Sequence, residues 1–146
     1  MLSELLKTLL ASTYAYTIKV QFFHWNVEGP DFYQMHKYFQ KVYEDSYGAV
    51  DPIAEYIRTL NEYTPGSLSR FHELSQIADQ TKVPRTQLML EELLADTDIM
   101  INLATQCFDA ANAENNQGVA NFMAERLSSH NKYKWQTQSF LKGSRA

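Results

Sequence analysis

Apolar residues recur every three to four positions through four long runs of this chain, and that spacing constrains its fold more than any other feature. In the first run Leu2, Leu5, Leu6, Leu9, Leu10, Thr13 and Tyr16 fall on one helical face. Ser3 is a candidate N-cap, and the run predicts a helix from about residue 3 to about residue 27. Gly29-Pro30 then stops it, because Gly suits the position just past a helix end and Pro cannot continue one. Asp31 can cap a second helix, over about 32 to 61, with Phe32, Met35, Phe39, Val42, Tyr43, Ser46, Val50, Ile53, Ala54, Ile57 and Leu60 as its stripe. Pro52 falls inside that run. A proline in a helix interior removes a donor and crowds the preceding turn, at a cost of about 3 kcal/mol. The helix therefore either kinks there, or breaks and restarts with Asp51 as N-cap and Pro52 as its first residue.

The link that follows is long. Pro65-Gly66-Ser67 reads as a turn, and Leu68, Phe71 and Leu74 suit a short helix over about 67 to 75. A third long helix is expected from Pro84-Arg85 to about Asn112, with Leu90, Leu93, Leu94, Thr97, Ile101, Ala104, Phe108 and Ala111 inward. A polar tract over 112–118 leads to a fourth, carrying Val119, Phe122, Met123, Leu127, His130 and Lys134 and ending at Gly143. Runs of β-branched residues with period two are absent, so the chain reads as all-α. At 146 residues it reads as one domain over 1–146. Short links flanking one long link make helices two and three parallel. That is the connectivity of a ferritin-like four-helix bundle whose long crossover carries a short helix.

Composition excludes several classes. The net charge of −4 argues against a nucleic-acid surface unless basic residues cluster. One cysteine, Cys107, cannot form an internal disulfide, which suits a reducing, cytoplasmic setting. No apolar run approaches the roughly 18 residues of a membrane span. The opening MLSELLKTLL lacks the basic region and small-residue cleavage site of a signal peptide.

The chemistry is concentrated between His24 and Glu55. His24 and His36 are twelve residues apart, and Asp51 and Glu55 one helical turn apart. On a helical wheel His36, Gln40, Asp51 and Glu55 span only about 100°. Yet His36 and Asp51 are separated by roughly 22 Å along a straight helix, whereas metal–ligand bonds are about 2 Å. Neither the histidines nor the acids complete a site alone. A two-fold axis carrying antiparallel copies of this helix past each other would bring each pair to the other and generate two equal sites. Mixed imidazole and carboxylate ligands with open positions suit Fe(II) redox chemistry. Plainer roles compete. Asp51 can be a cap and Glu55 an ordinary helical acid. Trp25 can be interface packing, and Tyr33, Tyr38, Tyr43 and Tyr47 packing or exposed rings. His130 reads as a hydrogen-bonded core residue, His72 as a surface residue, and Cys107 as inert core. Glu91, Glu92, Asp96 and Asp98 read as a solvated helix face.

These residues resemble the Dps family of mini-ferritins, the DNA-binding proteins from starved cells. The resemblance rests on His24-Trp25-Asn26, Gly29-Pro30, His36 and the Asp51/Glu55 pair, and extends to Arg126, His130, Lys132 and Trp135 in the last helix. It implies a homo-oligomer of two-fold dimers assembled into a hollow dodecamer. Such a cage oxidises Fe(II) at its dimer interfaces, preferably with hydrogen peroxide, or with oxygen, and stores ferric iron inside. It assigns Asp51 and Glu55 from one subunit and His24 and His36 from its mate as iron ligands, Glu55 as a bridge, and Trp25 as a radical quencher. This chain departs from the family at Gln40, where an acidic ligand is usual, and at Asn116 and Asn121, where acids often line the pores through which iron enters. Glu114 and Glu125 lie near those pore positions. The lysine-rich tail of the family's DNA binders has no counterpart: Lys7 alone precedes Lys19, and Lys132, Lys134, Lys142 and Arg145 make at most a small patch. DNA binding is therefore expected to be weak or absent. The alternative reading is a Dps-like structural or DNA- or partner-binding shell with weak or lost ferroxidase activity.

Overall fold

The computed structural model of the protein describes residues 1–142. Its elements are α1 (Leu2–Asn26), α2 (Phe32–Thr59), α3 (Leu68–Leu74), α4 (Thr86–Ala113) and α5 (Gln117–Lys142), with no strand among the described residues. Among the described residues no helix is long and apolar enough to cross a membrane. The predicted end of the last helix at Gly143 lies outside the described residues.

Polar pairs across the bundle give the helix directions. Thr17 Oγ1 meets Ser46 Oγ at 2.7 Å and His24 meets His36, so α1 and α2 run antiparallel. Tyr16 Oη meets Thr97 Oγ1 at 2.8 Å, and Thr86 Oγ1 donates to Glu28 O at 3.1 Å, so α1 and α4 do too. α2 and α4 are therefore parallel, which is what the long crossover predicts. α3, within that crossover, lies on α1. Leu6, Phe23, Phe39, Val42, Ile57, Met100, Ala104, Val119 and Met123 fill the interior between the four long helices and are almost wholly buried. Fully burying each of the larger of these side chains contributes about 1.5–3 kcal/mol.

Helix ends differ from the sequence expectation in instructive ways. Ser3 is not the first cap: α1 begins at Leu2 with Met1 before it, and Ser3 Oγ instead donates to Glu62 Oε2 at 2.6 Å, tying α1 to the segment after α2. Asp31 occupies the N-cap of α2 without a side-chain capping bond. Gly29 holds φ +109°, a conformation costly for any residue with a Cβ, and its carbonyl accepts from Phe32 N at 3.0 Å to close the α1–α2 turn. α4 ends in a paired capping arrangement: Asn115 takes φ 58°, Asn115 N donates to Asn112 O, and Asn116 N donates to Ala111 O.

Pro52 does not break its helix. α2 runs unbroken from Phe32 to Thr59, so the restart at Asp51 does not occur. The carbonyl that Pro52 leaves without a donor belongs to Gly48, an exposed residue open to water. Gly48 also has no side chain to crowd that turn, and the helix passes through.

Candidate metal centre

The short turn between α1 and α2 places His24, in the last turns of α1, against His36, in the first turns of α2. Their rings stack with centroids 3.8 Å apart and an interplanar angle of 12°. Each imidazole reaches the other residue's backbone: His24 Nδ1 lies 2.6 Å from His36 O, and His36 Nδ1 lies 2.8 Å from His24 O. A carbonyl only accepts, so both Nδ1 atoms carry hydrogen and donate. In the neutral ring this leaves the lone pair on Nε2, which has no hydrogen-bond partner among the described residues. Phe32 stacks on His36 at 5.0 Å, and Tyr43 closes on His24 at 5.3 Å, so the pair is held by packing as well as by hydrogen bonds. Imidazoles whose Nδ1 hydrogen is held by a carbonyl and whose Nε2 is left over are oriented to bind a metal through Nε2.

Asp51 and Glu55 are exposed on α2 and make no hydrogen bond or ion pair among the described residues. Because α2 is unbroken, they stay roughly 22 Å or more from His36 along the axis. No group of three or more His, Cys, Asp or Glu side chains comes together in one chain among the described residues. One chain thus joins the two histidines and separates them from the two acids. Gln40, half-buried one turn beyond His36, donates from Nε2 to Glu44 Oε2 at 3.2 Å. Trp25 is 64% exposed. With Ile18, Phe22, Leu68 and Phe71 it lines an open, largely apolar groove between α1 and the crossover, and none of the described residues buries its ring.

Other polar groups form structural locks. Asp96 is not on a solvated face. It is 7% exposed, as is Lys19, whose Nζ lies 2.9 Å from Asp96 Oδ2, 3.2 Å from Glu92 Oε1 and 3.0 Å from Ala78 O. Gln80 Nε2 donates to Glu92 Oε2 at 2.8 Å and completes the cluster. Burial pushes the Asp96 carboxyl above the usual range against the pull of Lys19. Lys19 was not singled out in the sequence; its spacing after Tyr16, one turn earlier on the apolar face, was the available signal. Arg126 Nη2 donates to Asp45 Oδ2 at 2.9 Å and ties α5 to α2. His130 is a core residue as expected. Burial, and the Arg126 guanidinium 3.4 Å from its Nε2, push it down to about 3, while its Nδ1 has no partner among the described residues. Burial raises the Cys107 thiol to about 12, which keeps it protonated and unreactive. His72 is exposed, 3.9 Å from Asp79.

Residues 3–146 match the family model for the ferritin-like domain. An uncharacterized low temperature-induced protein of Nostoc sp. is 31% identical over 142 residues, covering 96% of this chain and 79% of the relative. The DNA protection during starvation protein of Helicobacter pylori is 27% identical over 139 residues, covering 94% of this chain and 96% of the relative. The crystal structure of the Dps protein from Vibrio cholerae O1 superposes with a TM-score of 0.92 at 24% identity, covering 97% of this chain and 89% of that one. The matched domain, the relatives across nearly the whole length and the shared bundle agree: the chain belongs to the Dps family of ferritin-like proteins.

Proposed function

We propose that the protein is an iron-sequestering mini-ferritin that oxidises Fe(II) at sites shared between subunits and stores ferric iron within a dodecameric cage. The observation that carries this reading is the His24/His36 pair. Both rings have their Nδ1 hydrogen committed to a backbone carbonyl and their Nε2 left free. The matching half-site is Asp51 and Glu55, exposed on the same helix and out of reach within one chain. In the proposed dimer these acids come from the partner subunit. Its two-fold axis crosses α2 midway between the histidine end and the acid end. Two carboxylates and two imidazoles give each site a mixed oxygen and nitrogen ligand set suited to entering Fe(II). Glu55 bridges the two iron positions, and Gln40 contributes a neutral oxygen at the position beside His36. In this reading the Trp25 ring, exposed in the single chain, packs against the second subunit and intercepts radicals. With hydrogen peroxide as oxidant the step balances: two Fe(II) lose one electron each, the O–O bond breaks, and two protons are taken up to give two waters and two Fe(III).

The second reading, a shell of weak or lost ferroxidase activity, is favoured by Gln40 alone, since an amide is a poorer ligand than a carboxylate. One experiment decides between them. The purified protein is mixed with Fe(II) and excess peroxide, and ferric absorbance is followed. A rate well above the protein-free blank is expected; a rate equal to the blank removes the ferroxidase reading and leaves the shell. Of the partners such a shell could take, duplex DNA is disfavoured by charge. At −4 per chain, a band shift on duplex DNA at physiological salt is not expected, and a salt-sensitive complex would contradict this.

A further inference from the structure

We infer that Glu44 is a positioning residue: by holding the amide nitrogen of Gln40, it makes that side chain present its carbonyl oxygen, not its NH2 group, at the iron position beside His36. The inference rests on the interfacial site proposed above. The two ends of a glutamine amide are sterically alike and chemically opposite, for the oxygen can bind a cation and the NH2 repels one. A carboxylate at the same place has two equivalent oxygens and needs no such selection. Only a side chain like Gln40 requires a neighbour that distinguishes its ends.

Glu44 makes that distinction. Its carboxylate only accepts, so of the two ends of the Gln40 amide only Nε2 can bond to it, as observed at 3.2 Å. Glu44 lies one turn C-terminal to Gln40, while His36 lies one turn N-terminal. The amide nitrogen is therefore tied on the side away from His36, and Nε2 to Glu44 is the hydrogen bond the Gln40 amide makes among the described residues. On the wheel Glu44 falls about 80° from His36, within the arc that carries Gln40, Asp51 and Glu55. It is roughly 12 Å from His36 along the axis, too far to share a metal with it. In the proposed dimer Glu44 sits close to the two-fold axis, between the two sites and inside neither. Its effect is exerted through Gln40.

The test uses anaerobic titration of the assembled protein with Co(II), a redox-inert stand-in for Fe(II), followed by visible absorption. The unaltered protein is expected to take up two Co(II) per site. Glu44→Ala weakens the looser of the two roughly 10-fold and leaves the tighter unchanged, the size usual for losing a group that orients a metal ligand. Gln40→Glu combined with Glu44→Ala restores the looser position, because a carboxylate needs no orienting partner. Because Glu44 faces the proposed interface, the elution volume of Glu44→Ala is measured alongside, and only the intact assembly is titrated. An unchanged two-step titration in Glu44→Ala, or a double variant as weak as the single, overturns the inference alone. A single Co(II) per site in the unaltered protein also overturns it. No cobalt uptake, or full uptake after His24→Ala with Asp51→Ala, overturns the interfacial site and the inference together.

Discussion

At the scale of single residues, the backbone carbonyls of His24 and His36 matter as much as their rings. Each ring is oriented by the other residue's main chain, so the pair forms only when α1 and α2 are already docked. The combined change His24→Ala and Asp51→Ala is expected to abolish iron binding while the assembly persists; iron stoichiometry by plasma emission and size by light scattering check both halves. His130 makes a different prediction. Its folded value, about 3, lies below the ordinary histidine value near 6.5, so the unfolded chain binds the proton first as pH falls. The contribution of His130 is complete above about pH 6.5 and drains away toward pH 3, by at most about 1.4 kcal/mol per pH unit. Denaturation curves between pH 4 and 7 should fall less steeply for His130→Gln than for the unaltered protein, whatever the absolute stability of the variant. Lys19 is the third case. Removing one partner of a buried ion pair typically costs about 3–5 kcal/mol, because the other is left charged and unpaired. Lys19→Met should therefore lower stability by that order, and adding Asp96→Leu should recover much of it.

At the scale of elements, the four long helices, the Gly29-Pro30 turn and the short helix in the crossover were legible, because periodicity and breakers act locally. The histidine pair was legible as spacing. Its stacking and the reciprocal Nδ1 bonds were not, since they depend on how a particular turn folds the two helices together. Asp96 looked like one acid among several. What buries it is Lys19, seventy-seven positions earlier, and no local pattern links the two. Pro52 was ambiguous for a related reason: a proline breaks or bends a helix according to whether the carbonyl it frees can be satisfied, and Gly48 is exposed to solvent. Pro52→Ala restores a donor to that carbonyl and is expected to raise the melting temperature while leaving the Co(II) titration unchanged. A lower melting temperature would mean that the stiffness proline gives the unfolded chain outweighs the regained hydrogen bond.

At the scale of the whole molecule, the unbroken course of α2 has a kinetic consequence. Under the proposed site, a lone subunit holds half of two sites and all of none, so oxidation depends on subunits meeting. Below the dissociation constant of the dimer, the initial rate of Fe(II) oxidation should grow with the square of the subunit concentration, and above it linearly. A newly made chain, free and dilute, would then leave Fe(II) and peroxide alone, and the chemistry would begin only once two chains had met.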